Sequence, residues 1–147
     1  FVWQDLSLRK APSPQEHSLR ISSAADSVIR FLEHERLREP ARIQERVVAL
    51  NNAGVWLGEV ASESKMPSQF ESADRYFREA LELDQGQYTI LRNMAILQKR
   101  REEAEAVPET KKGFSEAAVQ YLDLARRMAG SNAAQVKDLG RIEAWKP

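Results

Sequence analysis

The stretch Phe70-Glu71-Ser72-Ala73-Asp74-Arg75-Tyr76-Phe77-Arg78-Glu79-Ala80-Leu81 places Phe70, Ala73, Phe77 and Ala80 at steps of three and four. That spacing puts all four on one face of an α-helix. A small residue such as Ala73 lets a second helix approach closely, and Phe77, four residues on, fills the next layer. The pattern returns at Phe114-Ser115-Glu116-Ala117-Ala118-Val119-Gln120-Tyr121-Leu122-Asp123-Leu124-Ala125. Phe70 pairs with Phe114, Ala73 with Ala117, Phe77 with Tyr121 and Ala80 with Leu124, each 44 residues apart. The segments between echo one another as well. Asn52-Ala53-Gly54, Asn93-Met94-Ala95 and Asp138-Leu139-Gly140 each set a polar residue before two small or apolar ones, spaced by 41 and then 45 residues. A single helix pair cannot bury its apolar face alone, so repeated pairs stack into a solenoid.

The punctuation around these segments is helical throughout. Residues 1–12 show no helical period and carry apolar Val2, Trp3 and Leu6 beside Arg9 and Lys10, which reads as an extended arm. Ser13-Pro14-Gln15-Glu16 is a capping box with Pro at the first helical position. Leu19, Ile21, Ala25, Val28, Ile29 and Leu32 then mark a buried face. Pro40 opens a second helix through Ile43, Val47, Leu50, Ala53, Gly54, Leu57 and Val60. Ser68 to Glu71 reads as another capping box, and Gly86 as a C-cap. A fourth helix covers about 87–106 and is ended by Pro108. A fifth covers about 112–129 and is closed by Gly130, and Ser131 caps a sixth with Val136, Leu139, Ile142 and Trp145. No segment reads as strand. The expected fold is all-α, a solenoid of about six antiparallel helices. Its parts are an arm at 1–12 and a helical domain over 13–147, with a capping helix at 14–38, repeats at 40–84 and 87–129, and a half repeat or capping helix at 131–145.

These residues resemble the tetratricopeptide repeat family. Residues 70–84 look like the second helix of such a repeat, with Ala73, Phe77 and Ala80 on the small, aromatic and small positions. Asn51-Asn52-Ala53-Gly54, Met94-Ala95 and Leu139-Gly140 look like the Leu-Gly region of the first helix. The likeness covers about residues 40–145. Gln85 stands where the family usually closes a repeat with Pro, and the spacings of 41 to 45 residues exceed the usual unit of about 34. The extra residues fall around 59–66 and 101–112.

Composition excludes more than it names. The 147 residues carry 22 Lys+Arg and 22 Asp+Glu, so no global charge draws the chain to nucleic acid or anionic lipid. The absence of Cys excludes thiol catalysis, disulfides and Cys-based zinc sites. The longest uncharged run in the middle, Val47 to Gly58, is 12 residues, against about 20 for a membrane-spanning helix. Phe1-Val2-Trp3-Gln4-Asp5 has no signal-peptide pattern, and the chain reads as cut from something larger. The six Gly are scattered and form no phosphate loop. His17 and His34 read as ordinary surface residues, and runs such as Glu102-Glu103-Glu105 as a solvated helix face. No enzyme, cofactor or metal is expected.

The resemblance implies a concave face lined by the first helix of each pair, where family members usually bind peptides. Residues three and four positions from the close-packing small residues share that face. They are Asn51 and Val55, then Arg92, Ile96 and Lys99, then Lys137 and Arg141. Asn93 resembles one member of the family's carboxylate clamp, whose Asn and Lys in the preceding repeat are missing. Four of the first seven are basic and none is acidic, which suits an acidic peptide or a terminal carboxylate. The functional expectation is a non-catalytic protein–protein interaction module, an adaptor or assembly scaffold. A fixed structural subunit of a larger complex comes second. RNA binding through Lys99-Arg100-Arg101 and Lys111-Lys112 comes third, blunted by the Glu residues between them. The expected setting is soluble, in the cytoplasm or, after removal of a targeting segment, in an organellar matrix or stroma, with the oligomeric state open.

Overall fold

Ser13 begins the first helix as its sequence requires: its Oγ accepts a hydrogen bond from the Glu16 amide at 3.1 Å, and Pro14 occupies the first turn. The Glu16 carboxylate, instead of closing the box, pairs with Arg20 one turn on. A computed structural model describes residues 13–145, and every structural statement below concerns those residues. The arm expected over 1–12, Trp3 included, lies outside them. The described residues contain six α-helices and no strand: α1 (Pro14–Leu32), α2 (Ile43–Ser64), α3 (Pro67–Leu83), α4 (Tyr88–Ala104), α5 (Pro108–Ala129) and α6 (Ala133–Ala144). They divide into two compact units, with the boundary between Asp84 and Gln85.

In the first unit α2 is packed on both sides, by α1 and by α3. This explains its composition. Val47, Leu50, Ala53, Leu57 and Ala61 are buried, and so are Asn51, Gly54, Val55 and Gly58 around the rest of the helix. The facing helices are one-sided. Helix α1 buries Ile21, Ala25 and Leu32, and α3 buries Phe70, Ala73, Phe77 and Ala80. Each fully buried large side chain contributes about 1.5–3 kcal/mol. Gly54 sits under the Phe77 ring so closely that a Cβ there would lie 2.6 Å from Cε1. The expected small-residue contact between the two helices is therefore present. Leu19 and Ile43, expected in the core, are 70% and 39% exposed.

Several helix boundaries differ from the sequence reading in this unit. The capping helix leaves the α conformation at Leu32, and residues Glu35–Arg38 and Pro40–Arg42 form 3₁₀ turns. Glu39, which precedes Pro40, is extended at φ −65° and ψ 134°, as the proline ring demands of its predecessor. Helix α3 starts at Pro67, not after Ser68, and its N-cap residue Met66 makes no side-chain capping bond. It ends at the extended residue Asp84, so Gly86 is not its cap. Helix α2 ends instead in a left-handed residue, Lys65, at φ 53° and ψ 33°.

In the second unit α5 packs on α4 and on α6. Helix α4 is buried continuously from Ile90 to Lys99. Pro108 opens α5 at its first turn, four residues before the expected start. Gly130 ends α5 with φ 53° and ψ −118°, a backbone that glycine adopts without the penalty of a side chain. Asn132, not Ser131, caps α6, accepting a hydrogen bond from the Gln135 amide at 3.1 Å.

The buried face of α5 lies one residue away from the positions paired in sequence. In α5 the buried side chains are Ala118, Leu122, Ala125 and Ala129. The layer Ala73–Phe77–Ala80 is therefore matched by Ala118–Leu122–Ala125, at a spacing of 45 residues rather than 44. One residue is a 100° rotation on a helix. The sequence pairs Ala117, Tyr121 and Leu124 consequently lie on the adjacent, outer side of α5, where Leu124 and Met128 are 40% and 47% exposed.

Candidate binding surfaces

The eight residues expected to line a binding face divide between the two units and differ in access. Asn51 and Val55, in the first unit, are 6% and 0% exposed. Arg92, Asn93, Ile96 and Lys99, in the second, are between 0% and 9% exposed. Only Lys137 and Arg141 are exposed. The six on α2 and α4 are closed to solvent because those helices are buried around their circumference, and the two on α6 are open.

The basic residues of α4 are committed inside the second unit. Arg92 donates from Nε and Nη2 to the two carboxylate oxygens of Asp138 on α6, and from Nη1 to Asn93 Oδ1 at 3.2 Å. Its side chain is 2% exposed and that of Asp138 21%. The Tyr88 hydroxyl lies 2.9 Å from Asp138 Oδ2 and 3.2 Å from the Gln135 carbonyl, with one proton to donate. Lys99 Nζ donates to the Trp145 carbonyl just past α6. The Trp145 ring is flanked by the Arg100 guanidinium at 5.2 Å and the Lys99 ammonium at 5.9 Å. Arg101 stacks over the Phe114 ring at 4.3 Å.

These contacts set the protonation states. Burial alone would raise the Asp138 carboxyl. The Arg92 hydrogen bonds and charge outweigh it, with the Tyr88 hydroxyl and the Arg141 charge adding to them, and hold it below its usual range. Burial, reinforced by the hydrogen bond to Asp138 and its negative charge, pushes the Tyr88 hydroxyl well above its ordinary value, against the opposing Arg92. Both groups are thus fixed around neutrality, Asp138 charged and Tyr88 protonated. The cluster ties α6 to α4.

The first unit holds a different feature. Between α1 and α2 runs a groove of about 580 Å³, lined by Ser27, Val28, Phe31, Gln44, Glu45, Val48, Ala49 and Asn52. Its wall is almost wholly apolar. Phe31 and Val48 are 51% and 55% exposed. Among its polar groups, Asn52 Oδ1 is buried and accepts no hydrogen bond. The sequence reading missed this groove. Phe31 falls off the Ile21–Ala25–Leu32 stripe and Val48 beside Val47, and such off-stripe apolar residues were the available signal.

Among the described residues no three His, Cys, Asp or Glu side chains group as a metal site. His17 faces Glu63 at 3.5 Å, joining α1 to the far end of α2. No described helix is long and apolar enough to cross a membrane. Compared with known proteins, the chain matches no family model, no curated protein and no solved structure.

Proposed function

We propose that the chain is a non-catalytic protein-interaction module, an adaptor or assembly scaffold built from long tetratricopeptide-like helix pairs. The observation that carries this reading is the recurrence of one packing layer in both units, Ala73–Phe77–Ala80 and Ala118–Leu122–Ala125, at a fixed 45-residue spacing. A repeated hairpin core supports a preformed surface, which need not order itself on binding. The accessible surface for a partner is then the outer side of α5, where Ala117, Tyr121, Leu124 and Met128 follow one another at i, i+4, i+7 and i+11. Such a line suits the apolar face of a partner helix. The RNA reading loses support, because Lys99 is buried and Arg100 and Arg101 lie over aromatic rings.

Affinity capture with the full chain, compared with Leu124→Asp and Met128→Asp, tests the proposal. Recovery of one partner by the native chain, lost with either Asp, is the expected result. No capture above background by a chain with full helical content, or capture unchanged by both substitutions, counts against it.

A further inference from the structure

The groove between α1 and α2 has an apolar wall and one charged edge. Val28, Phe31, Val48 and Ala49 supply the wall, and the volume of about 580 Å³ falls within the ~300–1,000 Å³ of small-molecule sites. Phe31 and Val48 are more than half exposed, so a ligand reaches them without parting the helices. Glu45 is the one ionised side chain among the described residues that line the groove, and no Lys or Arg joins it there. Arg42 pairs with Glu45 at 2.9 Å but also lies 3.9 Å from Glu39, so one guanidinium stands between two carboxylates. All three side chains are about half exposed, and pairs so exposed hold weakly. Ser27 spends its hydroxyl proton on the Ser23 carbonyl at 2.8 Å, which leaves its Oγ as an acceptor. Gln44 and Asn52 are neutral amides. The edge therefore carries an uncompensated negative charge and favours a donor over an acceptor. A carboxylate or phosphate head would meet Glu45 as a like charge.

We propose that this groove binds small amphiphilic amines, with an alkyl or aryl body against Phe31 and Val48 and the ammonium at the Glu45 carboxylate. An aliphatic amine is protonated at neutral pH, and its ammonium offers donors and no acceptor. Each methylene buried against the wall strengthens binding about fourfold. The apolar body thus supplies the affinity and Glu45 selects the head. When the ammonium takes Glu45, Arg42 keeps Glu39 as its partner. The site lies in the first unit and shares no residue with α5, so it stands apart from the partner surface proposed there.

Titration of the full chain with octylammonium, 1-octanol and octanoate separates body from head, because the three share one alkyl chain. Binding is read by nuclear magnetic resonance at the Val28 and Val48 methyls, with nuclear Overhauser contacts to the octyl chain. Expected is saturable binding of octylammonium, about tenfold tighter than octanoate, with octanol between them. Glu45→Gln should weaken octylammonium by about threefold to fivefold and draw the three ligands together. Val48→Ser, at an exposed position, should weaken all three alike while circular dichroism stays unchanged. Octanol or octanoate binding as tightly as octylammonium, or octylammonium binding unmoved by Glu45→Gln, overturns the proposal. So does the absence of saturable shifts at Val28 and Val48. Contacts to those methyls before any ligand is added, from a second copy or from residues beyond the two helices of the groove, would give it a protein occupant and overturn the proposal as well.

Discussion

The Phe77 ring rests on the backbone of Gly54, at a distance that leaves no room for a side chain. A Cβ built at Gly54 would lie 2.6 to 2.7 Å from Cε1, Cδ1 and Cζ of the ring. Phe77 is 0% exposed, so the ring has no free space to move into. Gly54→Ala should therefore destabilise the first unit by about 1–3 kcal/mol, although alanine is the better helix former. Phe77→Ala removes the ring and should cost about 3–5 kcal/mol. The pairing has a sharper consequence in the double variant. Alanine at 54 should cost less when Phe77 is also alanine, because the clash has gone. Urea denaturation of the two single variants and the double variant measures that coupling, and strict additivity would refute the contact as the cause.

The Asp138 carboxylate should govern part of the acid stability of the second unit. Its folded proton affinity is lowered by Arg92, so as pH falls the unfolded chain takes up its proton first. The stabilisation is complete above the ordinary value of 3.8 and drains away as pH drops through the lower folded value. Asp138→Asn should cost about 2–3 kcal/mol at neutral pH, since it strips the charge partner from a buried guanidinium. It should also flatten the acid limb of the stability curve. Tyr88 has the opposite sign. Its folded affinity is raised, so its contribution is complete below 10.0 and is lost as pH climbs beyond that. Tyr88→Phe should remove that alkaline loss. Chemical denaturation at stepped pH reads both limbs.

The helices were legible in the sequence because their caps and stripes are local. Ser13, Pro14 and Gly130 do what their chemistry requires. That small residues would admit a close helix approach was legible too, but not that Phe77 is the neighbour of Gly54. The buried face of α5 was harder. Helix α5 carries two neighbouring apolar stripes, Ala118–Leu122–Ala125 and Ala117–Tyr121–Leu124, and side-chain identity favoured the second while packing chose the first. The binding face was hardest. Whether Arg92 meets solvent depends on Asp138, 46 residues away on α6, and helical spacing contains no information about that neighbour. The capping errors have a simpler origin. Ser68 and Ser131 were good cap residues, but Pro67 and Asn132 stood beside them and took the helix start and the cap.

Lys65 offers a gain in stability. It ends α2 in the left-handed region at φ 53°, where a side chain costs about 1–2 kcal/mol relative to glycine. Its side chain is exposed, so little packing is lost on removal. Lys65→Gly should raise stability by about 0.5–1 kcal/mol, the strain relief exceeding the added freedom of the unfolded chain. Thermal unfolding followed by circular dichroism would show the midpoint rising. A lower midpoint would mean that the turn between α2 and α3 is held by something other than backbone preference.

Helix α6 depends on α4 side chains for its persistence. It spans only Ala133–Ala144, 12 residues, a length that is marginal for an isolated helix in water. Asn132 caps its start, and Tyr88 and Arg92 hold its middle through Asp138. Its end is held by Lys99, which is 9% exposed and donates to the Trp145 carbonyl. Lys99→Met keeps the length and apolar bulk of the stem but removes the donor and the charge beside the Trp145 ring. The cost should be about 1–2 kcal/mol and local. Amide exchange should quicken at Arg141 through Trp145, while α3, in the other unit, stays unchanged. Trp145 fluorescence should shift to the red as the ring gains water. If exchange rises equally along all of α6, Lys99 holds the whole helix and not only its end.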